Sequence, residues 1–185
     1  MKIGIVCPYN MFLGGGVQEV VLALREGAER RGHDAYIITP RPSDYDGEPP
    51  EGMLLVGGAR PIRAARTRSQ ISASVDTDKL EQMLDEHNFD ILHFHEPWTP
   101  MLSRQILLRS NAINIGTFHA AMSERRTSRT VERVITPYTK SILKYLDLLT
   151  AVSPAATTYV KSLTKRQILI VPNGIDLKKY HYAKQ

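Results

Sequence analysis

The stretch 10-NMFLGGGVQEVV-21 sets three consecutive glycines directly ahead of an amphipathic run. The residues before it, KIGIVC (2–7), form a short apolar run of the kind a buried parallel strand shows. After it, Val17, Val20, Val21, Leu24 and Ala28 recur at the spacing of one helical face. The unit reads strand, glycine loop, helix, and Gly32 in RRGH closes the helix where a left-handed cap is usual. A glycine loop feeding a helix N-terminus in an open sheet is a natural place to hold an anion or polar ligand. The bland alternative is a turn that needs positive backbone dihedrals. Three glycines at a strand-to-helix switch favour the ligand.

The same alternation continues along the chain. AYIIT (35–39) reads as a second strand, the Pro-, Gly- and acid-rich stretch 40–52 as a loop, and MLLV (53–56) as a short third strand. The segment 57–74 reads as irregular and carries Arg60, Arg63, Arg66 and Arg68 with no acid among them. A helix starts near Asp76, and DILHFH (90–95) is a strand. Thr99 followed by Pro100 suggests a cap and a first-turn proline for a helix over 101–109. INIGTF (113–118) is a strand that delivers His119 at its C-terminal end. A long helical region runs to about Leu146, interrupted or entered at Pro137, and LLTAV (148–152) is a strand. Ser153 and Pro154 repeat the cap-plus-proline start, and a last strand, ILIV, ends in Pro172, Asn173 and Gly174. This order predicts an α/β fold: a Rossmann-like, doubly wound, mostly parallel sheet with helices on both faces. Ligands on such sheets bind outside the carboxyl ends of the strands. The glycine loop, the HEPW turn, His119 and the PNG turn all fall on that edge.

The 185 residues suit one well-buried domain, and two would be cramped. Twenty-four basic against 19 acidic residues give +5, which suits anionic substrates, a lipid surface or nucleic acid alike. A nucleic-acid role is disfavoured, because the arginines lack the interleaved aromatics of a stacking platform. A single cysteine, Cys7, excludes a disulfide framework and points to a reducing compartment. No signal peptide and no apolar run of spanning length is visible, so the expected location is cytoplasmic. The glycines lack G-x-G-x-x-G spacing, the second strand ends in Thr39-Pro40-Arg41 rather than an acid, and no P-loop lysine follows. NAD binding and P-loop hydrolysis are therefore poor readings.

His93 and His95 alternate with Phe94 and share one side of a strand beside Glu96, yet no third ligand has a metal-site spacing. The expectation is no metal, His93 buried and His95 lining the cleft. Glu96 is suited to hold an acceptor hydroxyl or to serve as an acid–base group, and equally to cap backbone donors of the next helix. His119 can accept a sugar hydroxyl or stabilise charge at an anomeric carbon. No pair of carboxylates stands on the ligand edge, which weighs against a hydrolase.

IGIVCPYN, GGVQEVV, RGHDAYIITP, FDILHFHEP, GTFH, TAVS and VPNGID together resemble the N-terminal half of a retaining GT-B glycosyltransferase of the group 1 (family 4) type, closest to the phosphatidylinositol α-mannosyltransferases. The resemblance spans the whole chain in the family's order. It implies an acceptor-side domain over 1–185, with a C-terminal nucleotide-sugar domain absent. It implies that Gly15 and Gly16 approach the diphosphate and sugar of a GDP- or UDP-sugar donor, and that His119 lies against the transferred sugar as the catalytic group. Tyr9 and Gln18 match positions that hold the acceptor's inositol phosphate, and Glu96 is a further acceptor candidate. After FH the family carries small hydroxylated residues and a lysine, whereas this chain reads AAMSE. Arg125 and Arg126 are the candidates to supply that charge to the acceptor. The family's basic membrane-docking helix is acidic here (DTDKLEQMLDEH), so contact with an anionic membrane falls to Arg60, Arg63, Arg66 and Arg68. The reading is a transferase moving a mannose-like sugar with retention to a lipid or polyol, peripheral on the inner membrane face. It needs no cofactor in this domain, and these residues alone are expected to be inactive. The competing reading is a non-catalytic binding module for an anionic small molecule. Met11, Phe12 and Leu13 form an apolar tip that either folds onto the core or meets an acyl chain.

Overall fold

The computed structural model describes residues 1–64, 67–74, 76–120 and 129–174. Its centre is an eight-stranded sheet in the order β4-β3-β2-β1-β5-β6-β7-β8. The strands are β1 (Lys2–Val6), β2 (Asp34–Arg41), β3 (Met53–Ala64), β4 (Thr67–Ser74), β5 (Ile91–His95), β6 (Ile113–Phe118), β7 (Leu148–Ala151) and β8 (Leu169–Ile170). All neighbours pair in parallel except β3 and β4, which form an antiparallel hairpin. The helices are α1 (Gly16–Glu29), α2 (Thr77–His87), α3 (Leu102–Leu107), α4 (Arg129–Leu143) and α5 (Pro154–Leu163).

β1 is the switch point: it pairs with β2 on one side and β5 on the other. The chain winds outward in opposite directions from β1 and β5, so the turns after these two strands border one crevice at the carboxyl edge. Right-handed crossovers then place α1 on one face and α2 to α5 on the other. Packing follows that division. Val6, Ile38, Leu92, Phe94, Phe118, Leu149 and Ala151 face Leu80, Ile106, Ile142 and Val160 in the larger core. Ile5, Cys7 and Ile37 meet Val21 in a smaller one beneath α1. Burial pushes the Cys7 thiol up to about 12, so it behaves as an apolar core residue.

Local signals explain most boundaries. Ser153 Oγ accepts from Ala156 N (3.2 Å) with Pro154 in the first turn of α5, and Asp76 accepts from Lys79 N at the start of α2. Gly32 has φ +75° and donates to Glu29 O, which ends α1 as expected. Three expectations are corrected. The segment 57–74 is not irregular: most of it lies in the β3–β4 hairpin, where a register shift at Gly58/Ala59 breaks the simple alternation. Thr99 does not cap a helix. Its N–H donates to Glu96 O in a turn, and α3 begins only at Leu102, behind Met101 at φ 80°. Pro137 does not interrupt α4, which continues through it.

Candidate functional site

The loop from β1 to α1 begins with Asn10, whose Oδ1 accepts from Phe12 N (2.8 Å) in an Asx turn. Gln18 reaches back to donate to Asn10 O (3.3 Å) and lies over Gly15. None of Gly14, Gly15 and Gly16 occupies the left-handed region; Gly15, the N-cap of α1, is extended. A Cβ at Gly14 or Gly16 would meet open space. Backbone strain therefore does not require these glycines. What they leave is clearance in front of amides that precede the first intrahelical bond of α1. The apolar tip divides: Met11 is buried, whereas Phe12 and Leu13 are each 42% exposed and Phe12 packs on Tyr45 (ring centroids 4.4 Å).

The HEPW turn is built around Glu96. Its backbone is left-handed (φ 48°) and its side chain is buried. Oε1 accepts from His119 N (2.7 Å) and Ala120 N (2.6 Å), and Oε2 accepts from the Trp98 indole N–H. Burial raises the Glu96 pKa, and these three donors oppose that rise. Tyr9 lies close by: burial first, then the Glu96 carboxylate, hold its phenol well above the usual value. Of the roles open to Glu96, the geometry shows the capping one. Its donors belong to the loop after β6 rather than to the next helix.

Strand register decides what surrounds His119. His95 stands opposite Thr117 in the β5–β6 ladder, and His119, two residues further along, lies on the same face. His95 Nδ1 and His119 Nε2 are 2.8 Å apart. Beside them His93 Nε2 contacts Thr117 Oγ1 (2.6 Å), which contacts Thr150 Oγ1 (2.6 Å). His95 rather than His93 is the fully buried ring, the reverse of the expectation, and its Nε2 has no hydrogen-bond partner among the described residues. Burial lowers the pKa of His119 to about 4, and burial followed by His119 lowers that of His93 to about 4. Burial drives His95 well below 6.5, with His93 and His119 adding to it. All three rings are neutral at pH 7. Among the described residues no three His, Cys, Asp or Glu side chains are grouped to hold a metal ion.

Behind this row a groove of about 490 Å³ runs between α1 and β5–β7, lined by Val20, Leu24, His93, His95, Thr150 and Asn173 among others. Thus His95 faces this groove as well as His119. The structure brings His119, Glu96 and Tyr9 into one neighbourhood at the switch point, and Gln18 onto the glycine loop. Arg60, Arg63 and Arg68 fall on the β3–β4 hairpin at the outer margin of the sheet, which continues past the carboxyl end of β2 (Arg41 opposite Gly58), with Arg63 opposite Arg68 in register. Arg66, Arg125 and Arg126 lie outside the described residues. Sequence reasoning missed the His95–His119 contact, Thr117, Thr150 and Trp98. The alternation of His93 and His95 carried part of that signal, but the partner came only with the register of β6.

Known proteins resemble this arrangement over the full chain. A mannosyltransferase of Mycobacterium leprae, phosphatidyl-myo-inositol mannosyltransferase, is 30% identical over 187 residues, covering 100% of this chain and 48% of the relative. The protein of that name from Mycobacterium tuberculosis strain H37Rv is 28% identical, covering 99% and 47%. This chain spans about half the length of these curated relatives. Among solved structures, sucrose-phosphate synthase from Thermosynechococcus elongatus superposes with a TM-score of 0.67 at 14% identity, covering 97% of this chain and 50% of that one. An α-glucosyltransferase in complex with UDP gives 0.61 at 12% identity, covering 97% and 45%. At those identities the likeness speaks for the fold, a Rossmann-like half of a GT-B architecture. The sequence model of Glycosyltransferase Family 4 matches residues 14–179, and the chain belongs to that family.

Proposed function

We propose that residues 1–185 form the acceptor-side domain of a glycosyltransferase that moves a mannose-like sugar, with retention, from a nucleotide-sugar to a lipid or polyol. The observation that carries this reading is the fixed placement of His119: its backbone is latched to Glu96 and its ring to His95, at the crevice the glycine loop leaves open. A ring held in one orientation costs little reorganisation when charge develops at the anomeric carbon, and His119 is the group proposed to touch the sugar there. Gly15 and Gly16 leave room for the donor diphosphate at the start of α1. Tyr9, beside Glu96, and Gln18, over Gly15, are the acceptor contacts, with Arg125 and Arg126 as the cationic candidates beyond Ala120. Glu96 serves by holding the 119–120 loop. A second domain completes the donor site, so these residues alone turn over no sugar. Arg60, Arg63 and Arg68 of the hairpin, together with Arg66, are the contact to an anionic membrane surface on the cytoplasmic side.

The test uses the full-length protein that contains these residues. It is incubated with GDP-mannose or UDP-glucose and phosphatidylinositol vesicles, and the product is detected by mass. Transfer is expected, with His119→Ala lowering kcat about 100-fold. Tight donor binding without transfer to phosphatidylinositol, inositol phosphate or a free polyol would overturn the reading in favour of a binding module.

A further inference from the structure

The contact between His95 and His119 holds one proton when both rings are neutral, and the two ways of placing it are not equivalent. If His95 Nδ1–H donates to His119 Nε2, the buried Nε2 of His95 is a bare lone pair and His119 carries its own proton on Nδ1. If His119 Nε2–H donates instead, the proton of His95 must sit on Nε2. That nitrogen is fully buried and finds no acceptor among the described residues. An interior N–H without an acceptor is rarer and costlier than an unpaired acceptor. No hydrogen bond occupies His119 Nδ1 among the described residues, and His119 is only partly buried.

We infer that His95 is a positioning residue that fixes the tautomer of His119, so that His119 meets its ligand as an Nδ1–H donor and not as a base. The ligand atom it selects is an oxygen with a free lone pair, a sugar hydroxyl or a phosphoryl oxygen. A hydroxyl that must lose its proton finds no acceptor at that nitrogen. The lowered pKa values of both rings agree with the neutral pair. The latch from His119 N to Glu96 keeps the ring within reach of His95. This inference rests on the reading of His119 as the ligand-facing group, but the tautomer itself is defined without any ligand.

The test is long-range proton–nitrogen NMR on the chain with 15N-labelled histidine, at pH 7, where the pattern of couplings reports which ring nitrogen carries the proton. Wild-type protein is expected to show His119 protonated on Nδ1. His95→Asn, whose amide can offer an N–H from nearly the same place, is expected to keep that pattern. His95→Leu removes the donor and should shift His119 to the Nε2–H form, with amide spectra confirming a native fold. An Nε2–H form of His119 in the wild type overturns the inference, as does an unchanged tautomer in a folded His95→Leu variant. Should His95→Leu not fold, the wild-type spectrum alone still decides. In the full-length transferase, His95→Leu should lower kcat at least tenfold with KM unchanged, and His95→Asn should restore most of it. A chain with the expected tautomer but no transferase activity would refute the proposed function and leave the His95–His119 assignment standing.

Discussion

Glu96 closes a loop that starts 23 residues further along the chain, and in doing so it spends its whole carboxylate on backbone and indole N–H groups. Glu96→Gln retains one acceptor oxygen and turns an NH2 toward donors that need an acceptor. It should cost about 2 kcal/mol in urea unfolding, because buried N–H groups are left unpaired. It should also lower activity of the full-length enzyme by loosening His119. His93 makes a separate prediction. Its folded pKa of about 4 lies below the unfolded 6.5, so the unfolded chain binds more protons in between. The stability it contributes is complete above 6.5 and is lost as pH falls toward 4, a change on the order of 3 kcal/mol. The slope of the urea midpoint with pH over that window should be shallower in His93→Gln, which can keep a bond to Thr117 but cannot titrate. These roles were hidden in the sequence for one reason. HEPW shows a carboxylate and an indole side by side, but the amides that Glu96 serves are brought to it by the β5–β6 ladder.

At the scale of elements, α1 carries the sharpest test. Ala has less backbone freedom than Gly in the unfolded chain, and at Gly16, the first helical residue, a Cβ meets open space. Gly16→Ala should therefore leave stability unchanged or raise it by up to about 1 kcal/mol. The same substitution should weaken donor binding by the full-length protein, measured by calorimetry, if the clearance serves a diphosphate. Unchanged affinity would remove the glycine loop from the site. The parallel strands and the caps at Asp76, Ser153 and Gly32 were legible because apolar periodicity and capping chemistry are local. The β3–β4 hairpin was not, since Gly57, Gly58 and Pro61 mask the alternation and the pairing spans a register shift. Nor was the true start of α3. Glu96 and Met101 adopt positive φ without being glycine, and Glu96 is tied to amides 23 and 24 residues away that no short window contains.

Across the whole molecule the two faces of the sheet are unequally covered. Among the described residues four helices pack on one face, while α1 alone packs on the other, over β1 and β2. Beyond β1 that face presents the His and Thr row and then an apolar margin, with Ile113 57% and Val171 55% exposed. The chain should bind the dye ANS in its native state, and Leu148→Lys with Val171→Lys should reduce that fluorescence without shifting the far-UV spectrum. No helix among the described residues is long and apolar enough to cross a membrane. The helix between groove and glycine loop is also a lever. Its 14 residues make a rod of about 21 Å whose flank, Val20, Ala23 and Leu24, forms one wall of the groove, and whose tip is Gly16. Tilting that rod by about 3° about its far end moves the tip by about 1 Å, a displacement that can change a transfer rate about 100-fold. A ligand that wedged this wall and tilted α1 would therefore change the aperture at Gly16.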